Sequence, residues 1–240
     1  MKKGFDIIHE DENIVGINKP AGMLSVPDRM QSEQSLKDML QDRYGKIFVV
    51  HRLDKETSGV IVFAKNEEAH KDLSLQFENR ETAKYYSGLV IGKLADKSGM
   101  IEKAIIEHPN KKGMMVTATK GKPSVTGYEV VEEFTHYSFM RFNLLTGRTH
   151  QIRVHMNYLG HPLVCDPLYG DGKPVLLSAI KKRFKLSKSE EAERPILGRL
   201  ALHSEELHLR KLDGSMLTLH AELPKDLRAV MQQLRKLALP

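Results

Sequence analysis

A short charged segment around Asp54 lies between two runs of apolar residues, and this arrangement constrains the fold more than any other feature. The runs at 47–50 and 60–64 are rich in β-branched and aromatic residues, which favour β-strands. The sequence therefore predicts a loop held at the end of a sheet. Loops on a rigid scaffold often carry catalytic groups. The charged residues that this loop would present are Arg52, Asp54, Lys55 and Glu56.

The composition of the 240 residues is that of a globular protein, with 40% hydrophobic and 28% charged residues. No run of eighteen apolar residues is present, so no membrane span is expected. Acidic residues soon follow the two N-terminal lysines, which disfavours a signal peptide. Cys165 has no second cysteine with which to form an internal disulfide, and a reducing, cytoplasmic location is expected.

The net charge of +6 fits either ordinary solubility or contact with a nucleic acid, and it does not by itself distinguish the two.

Turn signals and apolar periodicity predict an α+β fold with a mostly antiparallel mixed sheet and flanking helices. Strands are expected on both sides of Asp11-Glu12-Asn13, at 85–91, in three segments of 113–145, and around Asp213-Gly214-Ser215. The predicted helices are 35–44 after a Ser35 cap, a helix capped by Asn66 that ends near Asn79, 149–159 capped by Thr149, and a last helix from Pro224 whose buried face holds Leu227, Val230, Met231, Leu234 and Leu237.

The chain has neither an internal repeat nor a linker that would separate two domains, so residues 1–240 are expected to form one catalytic domain. The polar segment 171–195 carries a charged cluster and is predicted to be a surface insertion. A solvated helix or loop is the favoured interpretation of this segment, and an RNA-contacting arm is the alternative.

Two sequence blocks resemble the motifs of the RluA-type pseudouridine synthases. Residues 51–59, HRLDKETSG, resemble the family's HRLDxxTSG, and residues 147–155, GRTHQIRVH, resemble its GRTHQ(I/L)RVH. Residues 18–22 and 199–203 resemble the shorter blocks (D/N)KPxG and RLALH. The resemblance implies the pseudouridine synthase fold, with a central active-site cleft. It also implies isomerisation of uridines in ribosomal or transfer RNA without a cofactor. The KPxG block starts at Lys19, which leaves no room before it for the S4-type RNA-binding domain of some relatives.

Asp54 is the first candidate catalytic residue. On the residues alone the preferred interpretation is a turn aspartate that binds nearby backbone. The resemblance aligns it with the family's catalytic carboxylate. Such a carboxylate could attack the sugar C1′ or the uracil C6, or remove a proton from the sugar, and the sequence does not choose among these routes.

Arg153 is the second candidate. It falls in the first turn of a predicted helix, where the helix dipole disfavours a cation, and Arg148 and His150 lie at the same end. These residues are either solvated surface charges or bound to anions. We hypothesise that Arg153 pairs with Asp54, as the resemblance also implies, and that Arg148 and His150 face RNA phosphates.

The remaining candidates come from the resemblance. The family's strand pattern KxYxAxVxG places its active-site tyrosine at Tyr86, and the neighbouring Tyr85 would point to the opposite face of the strand. Arg52 corresponds to the arginine that enters the space left by a flipped base, although it could simply bind phosphate. Leu202 could line the uracil pocket or belong to the core. His150 and His155 lack metal-site spacing, and we expect no metal.

Three classes of function are compatible with these residues. The first is an RNA uridine isomerase that acts as a monomer. The second is an RNA-binding or assembly factor that keeps the fold without catalysis. The third is a nucleoside or glycoside hydrolase that uses Asp54 with Glu56, but neighbouring loop positions are poorly placed to act on two sides of one bond.

Overall fold

The computed structural model describes residues 4–181 and 193–238. In chain order the elements are β1 (Asp6–Glu10), β2 (Ile14–Lys19), α1 (Leu36–Tyr44), β3 (Phe48–Val49), β4 (Ser58–Ala64), α2 (Glu67–Glu78), β5 (Ala83–Ile91), β6 (Ser98–Glu102), β7 (Ile105–Glu107), β8 (Met115–Thr117), β9 (Val125–Glu133), β10 (Tyr137–Leu144), α3 (Gln151–Tyr158), α4 (Leu177–Ile180), β11 (Leu202–Arg210), β12 (Met216–His220) and α5 (Lys225–Ala238).

The described residues form two compact units. The first unit runs from the N-terminal part of the chain to Tyr86 and also contains Asn143–Thr146 and His203–Glu222. The second unit contains Ser87–Phe142, the described residues between Gly147 and Leu202, and the chain from Leu223 onward. The prediction that 1–240 is a single catalytic domain stays a prediction.

The first unit is built around β4, whose seven residues are all buried. β2 pairs with β4 and with β1 in antiparallel register, and β3 also runs antiparallel to β4. β11 lies parallel to β4 and antiparallel to β12. Helix α2 covers this core through Ala69 and Leu73, which pack with apolar residues of β4 and β11. A strand buried along its whole length explains the unbroken apolar run at 60–64.

The second unit has strand β9 between β10 and β6, and the β6–β9 pair is antiparallel. β7 and β8 form a separate antiparallel pair. Helix α5 packs its buried face on a core that includes residues of β5, β10 and the 163–165 segment. A third, smaller cluster joins Ile105 of β7 to Val154 of α3 and Tyr169.

The predicted fold class is confirmed, because helices flank strands that pair mostly in antiparallel register. The predicted caps of α1 and α2 are also confirmed. Ser35 forms a capping box with Asp38, and the side chain of Asn66 accepts a hydrogen bond from the Ala69 N–H. None of the helices within the described residues has the length and hydropathy to cross a bilayer.

Two details of the prediction were wrong, and two others were incomplete. Helix α3 begins at Gln151 instead of residue 149, and Thr149 is exposed and does not cap it. Leu237 is 45% exposed, so the buried face of α5 ends at Leu234. The apolar run at 47–50 yields only the two-residue strand β3. β6 and β7 were not anticipated, because each has only two apolar residues in a row and neither shows a strand pattern.

The segment 171–195 is only partly described. Helix α4 lies within it, and Val175 forms a β-bridge with Leu197 just beyond it. Most of the charged cluster falls at 182–192, outside the described residues, so the prediction of a surface insertion stays a prediction.

Candidate active site

The loop around Asp54 is fixed to the segment that follows β2. The Ser25 hydroxyl donates to the carbonyl of Leu53 over 2.7 Å and accepts from the Leu53 N–H over 3.1 Å. The Thr57 N–H donates to the Asp54 carbonyl, which closes a turn at Asp54 itself. The aspartate is therefore presented by a backbone whose polar groups are bonded on both sides of it.

Lys19 also fixes the backbone of this loop. Its ammonium group is completely buried and donates to three backbone carbonyls, those of Pro20 (3.0 Å), Met23 (2.9 Å) and Lys55 (3.2 Å). Three carbonyls match the three donors of an ammonium group, which offsets much of the cost of burying the charge. The short NKPAG block thus has a structural role, because it ties the chain after β2 to the loop that carries Asp54.

His51 is neutral and acts as an acceptor. Its Nε2 accepts the Val62 N–H over 3.0 Å, and its ring stacks on Phe77 with a centroid distance of 4.6 Å. Burial lowers the pKa of His51 to about 3, and the nearby charge of Lys84 acts in the same direction. A ring that accepts a backbone N–H must stay unprotonated at that nitrogen, so the first residue of the HRLD block supports β4 instead of offering a proton.

Gly59 allows β4 and β11 to approach closely. A Cβ atom on Gly59 would lie 2.0 Å from the carbonyl oxygen of Ser204, and its φ of +111° disfavours any other residue. Beside it, the Ser58 hydroxyl bonds to Nδ1 of His203 over 2.9 Å, while Nε2 of His203 bonds to the Ala221 carbonyl over 3.0 Å. The last residues of the TSG and RLALH blocks therefore meet at one parallel contact.

Asp54 and Tyr86 belong to the first unit and lie within electrostatic range of one another. Tyr86 is buried, with 7% of its surface exposed, and its hydroxyl is hydrogen-bonded to Ser204. Burial raises the pKa of Tyr86 to about 12; the hydrogen bond from Ser204 lowers it, and the negative charge of Asp54 raises it. The phenol is consequently protonated at neutral pH and lies within electrostatic range of the motif aspartate.

Tyr85 faces elsewhere. Its ring lies against His208 at a centroid distance of 5.4 Å, and it is only half-buried. Neighbouring residues of a strand point to opposite faces, so only one of the two tyrosines can approach Asp54. Tyr86, the residue that the KxYxAxVxG pattern singles out, is the one whose hydroxyl is affected by the charge of Asp54, and its role in the site stays a prediction.

Arg153 lies in the second unit and is bound by Asp166. Nε donates to Oδ2 over 2.8 Å and Nη2 donates to Oδ1 over 2.7 Å. Both side chains are buried. The guanidinium also lies over the ring of Tyr169, 5.0 Å from its centroid. A bidentate pair of this kind fixes the plane of the guanidinium as well as its charge.

Asp166 organises the turn that follows it. Its Oδ1 also accepts the N–H groups of Leu168 (2.9 Å) and Tyr169 (3.1 Å). The sequence had indicated that a cation in the first turn of α3 needs an anionic partner, but nothing in it pointed to Asp166. The hypothesised Asp54–Arg153 ion pair joins residues of different units and stays a prediction.

The start of α3 differs from the predicted cap. His150 is the N-cap, with φ +56°, and it makes no side-chain capping bond. Instead, Oε1 of Gln151 accepts the Arg148 N–H over 3.0 Å. Nδ1 of His150 bonds to the Tyr169 hydroxyl over 2.9 Å. Arg148 and His150 are both half-buried at this end of the helix, which is where the sequence placed them.

A buried hydrogen-bond chain explains two further residues of the second block. Nε2 of Gln151 donates to the Thr126 hydroxyl (2.8 Å), which bonds to Nδ1 of His155 (2.9 Å). Nε2 of His155 lies 2.9 Å from the carbonyl of Lys103, so it carries the proton and donates. Burial lowers the pKa of His155, and the bond to Lys103 opposes that shift. Both ring nitrogens of His155 are thus engaged in hydrogen bonds.

The predicted residues fall into the two units as follows. Arg52, Asp54 and Tyr86 belong to the first unit, and Arg52 is exposed. Leu202 is 4% exposed and belongs to the second unit, together with the candidates at the start of α3. Three residues that support the site, Asp166, Tyr169 and Ser204, were not anticipated, and no periodicity or spacing in the chain signals them. Lys19 belongs to a recognised block, but its supporting role was not anticipated.

One group of potential metal ligands occurs among the described residues, formed by Glu205, Glu206 and His220. It lies on β11 and β12, and Glu206 is hydrogen-bonded to His208. We assign it no role, because partly exposed acidic groups of this kind are common without a metal.

Comparison with known proteins agrees with the motifs. The sequence profile of the family described as "RNA pseudouridylate synthase" matches residues 13–158. The chain belongs to this family of RNA pseudouridine synthases. Within the family it groups with the RluA-type enzymes, to which its curated relatives belong.

Among these relatives is the "Dual-specificity RNA pseudouridine synthase RluA" of Vibrio vulnificus, which is 42% identical over 77% of this chain and 76% of its own length. The "Ribosomal large subunit pseudouridine synthase D" of Nitrosomonas europaea is 37% identical over 96% of this chain, which spans 65% of that protein. The corresponding protein of Escherichia coli K12 is 35% identical, and the chain covers 71% of it.

A solved structure described as "Human RNA Pseudouridylate Synthase Domain Containing 4" has a similar fold. It is 27% identical, with a TM-score of 0.74 over 95% of this chain and 92% of that one. The protein is accordingly an isomerase that converts uridine in RNA to pseudouridine.

Proposed function

We propose that Asp54 is the carboxylate that starts the rearrangement of a flipped uridine. The observation that carries this proposal is that the charge of Asp54 acts on the buried Tyr86 phenol, and both residues occupy the positions that the motifs single out. In the reaction the N1–C1′ bond breaks, the uracil turns, and a C5–C1′ bond forms. The proton on C5 is then lost and N1 gains one, so atoms balance without water or a redox partner.

Tyr86 is proposed to act in its protonated form. Burial and the charge of Asp54 keep its pKa high, while the hydrogen bond from Ser204 acts against them. A phenol with a pKa of about 12 is a poor base at neutral pH but a good hydrogen-bond donor. Its ring can stack on the uracil while its hydroxyl orients Asp54 or the base.

Arg153 is proposed to pair with Asp54 and to keep that carboxylate ionised. The support is the fixed orientation that Asp166 and Tyr169 impose on the guanidinium, since an arginine needs such a setting to serve as a directed cation. The exposed Arg52 is proposed to fill the space of the flipped base. Arg148 and His150 are assigned to RNA phosphates, and Leu202 to the wall of the uracil pocket.

The proposed substrate is ribosomal RNA of the large subunit, with transfer RNA as the alternative. The support is the names of the relatives, since several are ribosomal large subunit enzymes and one is a dual-specificity enzyme. A cytoplasmic monomer whose 240 residues act as one catalytic domain is part of the same proposal.

The test compares the wild type with Asp54→Ala. Both proteins are incubated with transcribed transfer RNA and with fragments of large-subunit ribosomal RNA, and pseudouridine is mapped by carbodiimide-dependent primer stops. Stops at defined uridines with the wild type, and their loss in the variant by about 10³-fold or more in rate, are expected for a catalytic group. Equal activity of the two proteins would remove Asp54 from the mechanism, and silence of both on every RNA would favour the binding or assembly factor. Release of free uracil would point to the hydrolase.

A further inference from the structure

The segment 103–122, which contains β7 and β8, carries an unusual set of charges, and we call it the lysine hairpin. It has five lysines and one glutamate. All five lysines are exposed, and within residues 4–181 and 193–238 none of them forms an ion pair with a carboxylate. The lysines are Lys103, Lys111, Lys112, Lys120 and Lys122.

Several other lysines of the protein are paired with carboxylates. Lys46 bonds to Glu67 and Lys55 to Glu33, while Lys93 and Lys97 share Glu133. The carboxylate of Glu107, the glutamate of the lysine hairpin, accepts the Gly113 N–H over 3.0 Å and so serves the turn. Five like charges on one hairpin repel one another unless an external anion neutralises them.

The lysine hairpin is held firmly on the second unit. Ile105 and Lys122 exchange two backbone hydrogen bonds of 3.0 and 2.9 Å, and Gly121 permits this close approach. The side chain of Ile105 is buried against Val154 of α3 and Tyr169. The N–H of Met115 donates to the Tyr169 hydroxyl over 2.8 Å. The backbone positions that carry the lysines therefore keep a fixed spacing on this support.

The hairpin also adjoins the start of α3. Nε of Arg148 lies 3.4 Å from the carbonyl of Pro123, directly after Lys122. At the other end of the hairpin, the carbonyl of Lys103 accepts a hydrogen bond from Nε2 of His155. The basic surface therefore continues from the hairpin to Arg148 and His150, the residues assigned to RNA phosphates.

We propose that the lysine hairpin is a docking arm for the phosphodiester backbone of the substrate RNA, at nucleotides that flank the target uridine. The inference rests on the proposed function in that RNA is the occupant. Contacts of lysine with phosphate are independent of sequence, and their signature is the release of counterions. The lysine hairpin thus contributes affinity and positions the RNA along the protein, whereas other residues select the uridine.

The experiment measures the salt dependence of RNA binding. The triple variant Lys111→Gln, Lys112→Gln, Lys120→Gln is compared with Lys46→Gln, Lys93→Gln, Lys97→Gln, which removes three lysines that have carboxylate partners. Both carry the same change in net charge, and both are made in Asp54→Ala to prevent turnover. Dissociation constants are measured by filter binding on transcribed large-subunit RNA and transfer RNA between 50 and 300 mM salt (roughly the range where phosphate contacts dominate).

The hairpin variant is expected to reduce the slope of log K against log salt by about 2 to 3, with binding weakened on both RNAs alike. The control should change the slope by less than about 1. A third variant with arginine at 111, 112 and 120 should keep the wild-type slope. Equal slopes for the hairpin and control variants would overturn the proposal. Single glutamine substitutions at each position provide the same comparison if the triple variant does not fold.

Pseudouridine formation separates this inference from the proposed function. In the background with an intact Asp54, the hairpin variant should keep its single-turnover rate at saturating enzyme while the enzyme concentration for half-saturation rises. If the wild type forms no pseudouridine, the proposed function fails, but the difference in salt slope still decides the role of the hairpin.

Discussion

The guanidinium of Arg153 and the carboxylate of Asp166 are joined side by side by two hydrogen bonds of 2.8 and 2.7 Å. Both side chains are almost completely buried, and Tyr169 lies beneath the cation. Asp166 accepts hydrogen bonds from Nε and from Nη2 of Arg153. It therefore determines the direction in which the remaining N–H groups of the guanidinium point. Asp166, which lies outside the sequence motifs, thereby orients Arg153, which belongs to one of them.

Asp166→Asn is expected to destabilise the protein by about 3 kcal/mol or more, because it removes the buried carboxylate that holds the Arg153 guanidinium through two hydrogen bonds. Urea unfolding measures this loss. The matched control is Asp226→Asn, which removes a bidentate partner of Arg199 with similar distances (2.6 and 2.7 Å) at a partly exposed position. The control should cost about 1 kcal/mol. Similar losses for both variants would argue against a special role for the buried pair.

The hypothesised pairing of Asp54 with Arg153 predicts strongly non-additive effects on activity. Asp54→Asn, Arg153→Met and the double variant are compared by single-turnover pseudouridine formation. If the two side chains act as a unit, the double variant loses no more activity than the less active single variant. Additive losses, or an experimental structure with the guanidinium far from the carboxylate, would remove the pair from the mechanism.

Tyr86 should remain protonated up to a pH well above 10. Its pKa of about 12 exceeds the ordinary value of 10, so the folded protein holds this proton more tightly than the unfolded chain. The stability that results is present below pH 10 and is lost as the pH rises from 10 towards 12. Difference absorbance at 295 nm (about the phenolate band) between wild type and Tyr86→Phe follows the titration.

Activity provides a second check on the same tyrosine. Tyr86→Phe should reduce single-turnover activity by about 10²-fold or more, whereas Tyr85→Phe should have little effect. Ser204→Ala should raise the pKa of Tyr86 further, since the hydrogen bond from Ser204 lowers it. An equal loss of activity in the two tyrosine variants would contradict the assignment.

His51 should make the protein sensitive to acid. Its pKa of about 3 lies below the ordinary 6.5, so the unfolded chain binds the proton more tightly. The corresponding stability is complete above pH 6.5 and falls as the pH drops from 6.5 towards 3. In His51→Gln, the decrease in melting temperature between pH 7.5 and 5 (roughly this window) should be smaller than in wild type. His220→Gln, at an exposed position, is the control and should keep the wild-type decrease.

Gly59→Ala tests the contact between β4 and β11. The added methyl group would meet the Ser204 carbonyl at 2.0 Å, in a backbone conformation with φ +111°. A loss of about 3 kcal/mol or more is expected in urea unfolding, because backbone cannot move aside as a flexible side chain can. Gly198→Ala is the control, since its new methyl group would meet only Pro195 at 3.8 Å. A tolerated Gly59→Ala would show that the two strands can separate at this point.

Local signals in the sequence were sufficient for most of the fold. Asn66 and Ser35 cap helices because their side chains can bind backbone N–H groups within three residues, and that property is visible in the sequence. Thr149 offered the same signal, but the chain follows a different path there. His150 takes a left-handed conformation while Gln151 binds the Arg148 N–H, and tertiary contacts of both residues decide the outcome.

The site was predictable only where a motif resemblance existed. The resemblance selected Tyr86 over Tyr85, and the strand alternation explains why only one can face Asp54. Asp166 was missed because its partner lies thirteen positions away, across a turn, and no periodicity connects the two. Lys19 was assigned to a motif block but given no role, because its burial among three carbonyls depends on how the 20–23 segment and the segment at Lys55 come together in the fold.

The buried chain from Gln151 through Thr126 to His155 divides the GRTHQIRVH block between two roles. The side chains of Gln151, Thr126 and His155 are buried, whereas Arg148 is partly accessible at the start of the helix. An effort to tune the affinity of the enzyme for RNA can therefore vary Arg148 together with the lysine hairpin. Randomising Gln151 or His155 would instead break buried hydrogen bonds, so most variants in such a library would fail to fold.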